Sequence, residues 1–283
     1  MRSLSTYLSF VRVSHTVFAL PFAFTGALLA WRTGGFSIFN VGWIAVSMVA
    51  ARSAAMGFNR LVDARHDALN PRTAGRELPR GLITRREAGI FVAISAAVFV
   101  FAAFRLNMLC GVLSPLALAV VFWYSLAKRY TSYTQIFLGL AMAVAPVGGW
   151  LAAGGGSGWQ PWLLGLAIGL WVGGFDVLYA CQDVEFDRAY GLRSMPVRFG
   201  VRRAIAMSRV MHVATVVCMA ALWQVACLPV SYLAGVAGVA VLLAYEQSLV
   251  SDSDLSKVKR AFDLNGWVGL VYFVSTAASL YFE

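Results

Sequence analysis

The stretch from Asn59 to Gly81, NRLVDARHDALNPRTAGRELPRG, decides how the chain is read. It closes a long apolar run, sets Asn59, Asp63 and Asp67 four residues apart, stops at Asn70-Pro71 and continues into an arginine-studded loop. Residues four apart on an α-helix lie on one face, about 6 Å apart along the axis. The three side chains therefore form a single polar stripe. With only 13 acidic residues in the chain, two carboxylates on one face beside a membrane are costly unless they bind something.

The remainder of the sequence supplies the membrane. Hydrophobic residues make up 60% of the 283 and charged residues only 13%, which excludes an ordinary soluble domain. Apolar runs of about twenty residues recur from end to end, the length that spans a bilayer as a helix. They are continuous and not alternating, which argues against a β-barrel. The reading is an all-α polytopic membrane protein, a single integral domain over 1–283, with nine transmembrane helices near 14–31, 38–68, 86–104, 107–127, 134–153, 160–187, 203–224, 229–249 and 263–281. The first run follows Arg2 and Arg12 but has no small-residue cleavage site, so it reads as a retained helix and not as a signal peptide.

The net charge of +10 resides in short loops. Arg72, Arg76, Arg80 and Arg85 form one basic group, Lys128 and Arg129 a second, Arg188, Arg193, Arg198, Arg202 and Arg203 a third, and Lys257, Lys259 and Arg260 a fourth. Opposite-side loops offer Arg32 and Arg105. By the positive-inside rule the N-terminus and the basic loops are cytoplasmic and the C-terminus lies outside, in an inner (cytoplasmic) membrane. That placement of the charge argues against nucleic acid as a partner. Cys110, Cys181, Cys218 and Cys227 lack CxxC spacing and read as reduced packing residues, while His15 and His66 lack metal-ligand spacing. The Gly154–Gly158 turn has no lysine to make it a phosphate loop.

A second acidic group echoes the first. Asp176, Tyr179, Asp183 and Asp187 share a stripe on the sixth predicted helix, again followed by an arginine-rich loop. Four helices separate the copies, so both emerge on one side. The arrangement is two parallel four-helix repeats plus a last helix, around a central cytoplasm-facing cavity. Spaced carboxylates with cations nearby suit a Mg²⁺-diphosphate site, because Mg²⁺ takes one or two carboxylates, waters and phosphate oxygens. Asp63, Asp67, Asp183 and Asp187 are the candidate metal ligands. Lys128, Arg72, Arg76, Arg193 and Arg198 are placed to neutralise charge on a departing diphosphate. Tyr124, one turn before Lys128, joins them, and Arg12 ahead of the first span is a further candidate. Read alone, Tyr124 and Lys128 are also ordinary interfacial anchors.

At these positions the chain resembles the UbiA superfamily of intramembrane prenyltransferases. The resemblance covers the full length and rests on Asn59-x-x-x-Asp63-x-x-x-Asp67, Asp183-x-x-x-Asp187 and Tyr124-x-x-x-Lys128. It implies a polyprenyl diphosphate held at its head by Mg²⁺ and the aspartates, with its tail in a lipid-open tunnel. It implies loss of diphosphate to an allylic cation, and attack by an electron-rich aromatic ring, in quinone biosynthesis. Asn59 and Tyr179 would then help bind substrate, and Asp63, Asp183, Lys128 and Tyr124 would act in catalysis. Arg60 stands where many members carry an aspartate. The loop Asn70–Pro79 is similar to the 4-hydroxybenzoate polyprenyltransferase-like branch, some of whose members are similar to enzymes acting on a dihydroxynaphthoate. The acceptor stays open between those two small aromatic acids. Its carboxylate would suit Arg60 or Arg52. Membrane lipid is the surrounding medium, and no obligate protein partner is implied.

An ion-coupled transporter is the rival reading from another class, since membrane carboxylates and parallel repeats also serve transport. It is disfavoured because the acids cluster at cytoplasmic helix ends, with only Asp176 and Glu246 placed nearer the midplane. A CDP-alcohol phosphotransferase is disfavoured because its Asp-Gly and Ala-Arg signature is absent. Substituting Asp63→Asn or Asp183→Asn is expected to abolish prenyl transfer in detergent while leaving the fold intact. Full activity in either variant, or in EDTA, contradicts the metal-diphosphate assignment.

Overall fold

The computed structural model describes residues 4–11, 13–31 and 38–282, with side chains from 5–11, 20–31 and 39–282. Arg12 and Arg32 fall outside the described residues, as does the side chain of His15. The helices are α1 (Leu4–Phe10), α2 (Val13–Trp31), α3 (Ile38–Leu69), α4 (Arg85–Leu106), α5 (Met108–Ala127), α6 (Thr134–Ala152), α7 (Gln160–Ala180), α8 (Val184–Ala189), α9 (Met195–Phe199), α10 (Val201–Val225), α11 (Tyr232–Ser248) and α12 (Val258–Tyr281). Nine of these are 17 residues or longer and, apart from α7, match the predicted runs to within about five residues. Among the described residues six segments are both long and apolar enough to cross a membrane: Phe39–Leu69, Arg85–Leu106, Met108–Ala127, Thr134–Ala152, Gln160–Ala189 and Val201–Val225. The protein is an all-α polytopic membrane protein.

Local chemistry sets the boundaries that matter for the site. Asn70 ends α3 and accepts a hydrogen bond from the Arg72 amide at 2.9 Å, turning the chain back across the helix end. Thr84 then starts α4 with a capping box, in which its hydroxyl accepts from the Glu87 amide at 3.2 Å and the Glu87 carboxylate accepts from the Thr84 amide at 2.7 Å. Between these two caps runs the arginine loop. Asn107 closes α4 and opens α5, accepting from the Cys110 amide at 2.8 Å.

One predicted helix is interrupted. The run expected to continue from 160 to 187 stops at Ala180, tightens into a 3₁₀ turn at Cys181–Asp183 and resumes as α8. Asp183 sits at φ −102°, ψ 5°, outside helical geometry. Asp176 and Tyr179 therefore lie on one helix, while Asp183 and Asp187 are carried by the turn and the short helix beyond it.

The helices pack through small residues. Membrane helices gain no hydrophobic force by associating with each other, so close backbone approach has to supply the contact. Here α2 crosses α6, α6 lies along α7, α7 packs on α10, and α12 spans α11 and α2, while α3 holds α4 and α5. Where α2 meets α6, a Cβ at Gly149 would strike the carbonyl oxygen of Ala23, whereas one at Gly148 would meet nothing within 4 Å. Gly149→Ala is expected to destabilise the protein by about 1–3 kcal/mol, read as a lowered thermal midpoint in detergent. Gly148→Ala on the next face is expected to leave that midpoint unchanged.

Candidate active site

A cavity of about 360 Å³ opens among α3, α5, α6, α7 and α12, and the Asn70–Gly81 loop covers part of it. Both acidic motifs line it. Asp63 and Asp67 come from the end of α3 and are only 3% and 7% exposed. Asp176 and Tyr179 come from α7, and Asp183 and Asp187 from the turn and α8.

Three of the four motif carboxylates already face cations. Lys128 Nζ lies 2.6 Å from Asp63 Oδ2, and Arg129 donates to Asp63 Oδ1 at 3.2 Å. Arg76 Nη1 grips both oxygens of Asp67, at 2.7 and 2.8 Å. Arg72 makes a two-pronged pair with Asp183, Nε to Oδ1 at 3.0 Å and Nη2 to Oδ2 at 2.6 Å. Its remaining nitrogen donates to the Tyr179 hydroxyl at 3.0 Å, and its carbon lies 5.3 Å from the centre of that ring. Burial works to lower the pKa of Arg72, but the hydrogen bond and charge of Asp183 outweigh it and carry the guanidinium above its ordinary value.

Most of the residues singled out from sequence meet here. Asn59 lies on the cavity wall, its amide nitrogen 3.3 Å from the Ser125 hydroxyl and 3.5 Å from Asp63. Tyr124 lines the cavity one turn inward from Lys128. Arg193 reaches the rim, its amide donating to the Lys128 carbonyl at 2.8 Å and its side chain to the Tyr130 carbonyl at 2.6 Å. Arg198 is not brought to the cavity. It stacks instead over Tyr133 and Phe199, at 5.4 and 5.2 Å.

Other lining residues were not legible from sequence. Arg129, which does not line the cavity but braces its wall from behind, reads there as a topology signal, yet its guanidinium also donates to the Val62 carbonyl at 2.7 Å, tying the end of α5 to α3. Asn70, read as a helix stop, also turns its amide toward Asp183 at 3.4 Å. Trp171 and Phe175 line the cavity at four-residue spacing on α7, in line with Tyr179, which the sequence had already singled out, and are joined by Phe262 from α12. That spacing was the one available signal for the aromatic wall. Phe262 had none, because its place depends on how α12 packs.

Among the described residues no three carboxylate, histidine or cysteine side chains are gathered as a preformed metal cluster. The donor set still fits Mg²⁺, a hard ion that takes one or two carboxylates and completes its octahedron with water and phosphate oxygens. Both motifs offer only hard oxygen ligands to the same cavity.

Fold and cavity together define a polytopic membrane enzyme. Residues 19–274 match the UbiA prenyltransferase family, and the chain belongs to it; it is a prenyltransferase. It is similar to the 4-hydroxybenzoate octaprenyltransferase of Citrobacter koseri, 30% identical over 241 residues that cover 84% of this chain and 83% of that protein. The 4-hydroxybenzoate octaprenyltransferase of Xanthomonas campestris is 34% identical over 230 residues, covering 81% and 76%. Among solved structures, the apo form of a UbiA homolog from Aeropyrum pernix K1 superposes with a TM-score of 0.87 at 34% identity, over 95% of this chain and 99% of that one. A UbiA homolog from Archaeoglobus fulgidus, solved bound to GPP and Mg²⁺, shares the fold with a TM-score of 0.71 at 20% identity, over 96% and 99%.

Removing one cation from the buried Asp63 cluster tests its electrostatics. Lys128→Met is expected to cost about 1–3 kcal/mol, the penalty of a charged hydrogen bond left unmade, and so to lower the thermal midpoint. Adding Asp63→Asn to Lys128→Met is expected to recover part of that loss.

Proposed function

We propose that the protein transfers a polyprenyl group from a polyprenyl diphosphate to a small aromatic acid, with 4-hydroxybenzoate favoured over a dihydroxynaphthoate. The observation that carries this reading is the meeting, in one cavity, of two acidic motifs, a collar of cations and an aromatic wall. Support for the acceptor comes from the 4-hydroxybenzoate octaprenyltransferases to which the chain is similar. Support for the donor and metal comes from the A. fulgidus homolog bound to GPP and Mg²⁺.

On this reading Asp63, Asp67, Asp183 and Asp187 hold Mg²⁺, which supplies the positive charge that lets carboxylates and diphosphate share one cavity. Lys128, Arg72 and Arg76 turn N–H donors from their aspartates to the diphosphate oxygens, with Tyr124, Asn59 and Arg193 at the same head group. As the C1–O bond breaks, the electron pair leaves with diphosphate and those donors take up the growing charge. The rings of Trp171, Phe175 and Phe262 exclude water and face the allylic cation, which cation–π attraction stabilises. A ring carbon of the acceptor then bonds to C1 and the ring releases a proton.

Arg52 supplies the acceptor's counter-charge. It lies midway along α3 and lines the cavity, and its Nε is buried with no hydrogen-bond partner among the described residues. A guanidinium so deep in a membrane segment calls for an anion, and a benzoate carboxylate is one. The remaining parts of the reading concern the whole chain: one domain of nine spans, built as two parallel four-helix repeats and a last helix. The N-terminus and the cavity mouth face the cytoplasm.

The test is product identification. Purified protein with Mg²⁺ and geranyl diphosphate, given each acid in a separate incubation, is expected to prenylate 4-hydroxybenzoate in preference to the dihydroxynaphthoate. Arg52→Leu is expected to raise the acceptor KM about tenfold or more, as for a buried charged hydrogen bond of roughly 1.5–3 kcal/mol, without raising the diphosphate KM. Product from the naphthoate alone overturns the acceptor, and an unchanged acceptor KM in Arg52→Leu overturns the role of Arg52.

A further inference from the structure

Behind the cavity, buried and half-buried hydrogen bonds join α7, α10, α11 and α12 in a closed belt. Ser208 on α10 donates to the Gly174 carbonyl of α7 at 2.7 Å, and Gln247 on α11 donates to Ser208 at 2.7 Å. The adjacent Glu246 accepts from the Asn265 amide of α12 at 3.2 Å, and Asn265 Oδ1 accepts from Trp171 Nε1 at 2.7 Å, returning the belt to α7. Glu246, Asn265 and Trp171 are 1%, 2% and 2% exposed. Only Asn265 and Trp171 of this belt line the cavity. No step of the proposed reaction uses Glu246 or Asn265, yet an ionisable side chain buried in a membrane protein is seldom kept without a function.

The orientation of Asn265 is forced. Its amide nitrogen faces three acceptors, Glu246 Oε1 and the carbonyls of Ala261 and Phe262, each at 3.2 Å. Its oxygen is left for the indole N–H. That bond sets the tilt of Trp171, whose ring meets Phe175 edge-on at 5.4 Å. Phe175 meets Phe262 at 5.5 Å, Phe262 meets Tyr179 at 4.9 Å, and Tyr179 lies under Arg72. One aromatic wall thus runs from the cation that grips Asp183 down to the indole.

We propose that Asn265, backed by Glu246, is a positioning residue for the prenyl diphosphate: it holds Trp171 as the inner end of the wall along which the first isoprenoid carbons lie. The inference rests on the reading of the cavity as a prenyl-diphosphate site. A rotated indole would narrow or redirect that path without touching the diphosphate collar or Arg52.

The test is a double-mutant cycle on the full chain in detergent, with geranyl diphosphate and 4-hydroxybenzoate. Asn265→Leu and Trp171→Phe are each expected to raise the KM for geranyl diphosphate about fivefold, equivalent to one buried hydrogen bond of roughly 1 kcal/mol, and to leave the acceptor KM unchanged. The double variant is expected to be no worse than the poorer single one, because both remove the same bond. Glu246→Leu is expected to move the same constant, and Glu246→Gln, which keeps the accepting oxygen, to restore it. Additive effects, or a lowered thermal midpoint with both KM values unchanged, overturn the proposal and leave the belt a purely structural tie. A wild-type protein that neither binds nor turns over geranyl diphosphate defeats the reading of the cavity itself, and the proposal with it.

Discussion

Charge compensation in a low-dielectric site is the constraint on which the rest of this structure depends. Asp63 is almost wholly buried, and an unpaired carboxylate in such a place costs several kcal/mol. It is met by Lys128 and Arg129 from the end of α5, while Asp183 is met by Arg72 from the loop after α3. These bonds join regions far apart in sequence and so fix how the loop, the helix ends and the 3₁₀ turn sit around one cavity. On the proposed function, the cations that hold these aspartates would pass to the diphosphate oxygens with little reorganisation.

Below this polar collar the cavity changes character. Met56, Leu138 and Met142 join the aromatic wall, so the site passes from a charged mouth to an apolar interior within one space. That gradient suits a substrate with an anionic head and a hydrocarbon tail. It suits the transporter reading less well, since the motif carboxylates gather at one end of the helices and, apart from Asp176 and Glu246, no acids among the described residues follow a path through the membrane. Membership of a prenyltransferase family decides the same question independently. Arg52 and Asn265 interrupt the apolar interior, with Glu246 buried behind Asn265, and each carries a polar group whose cost is hard to explain by packing alone.

The features legible in the sequence were those with local causes. The stripe of Asn59, Asp63 and Asp67 follows from helical period, the stop at Asn70-Pro71 from turn chemistry, and the approach of two distant acidic groups from counting helices. What was illegible depended on three-dimensional packing. The helix expected to run to 187 breaks at Ala180, in the turn where Asp183 receives Arg72 from a distant loop, which no periodicity announces. Phe262 and Asn265 join the cavity only because α12 lies against α7. Arg198 looked equivalent to Arg193 in the same basic loop, yet α9 turns it onto Tyr133 and Phe199. Arginines that serve topology and arginines that serve the site share one sequence signal, and only the fold separates them.

The central claim is that the two acidic motifs act as one site for a metal-bound diphosphate. Equilibrium binding of a non-ionisable geranyl thiolodiphosphate, with and without Mg²⁺, tests it most directly, since no acceptor and no turnover are involved. The account predicts binding that requires Mg²⁺ and is lost alike on substituting Asp63 or Asp183 by Asn. Metal-independent binding, or binding that survives the loss of either motif, contradicts it.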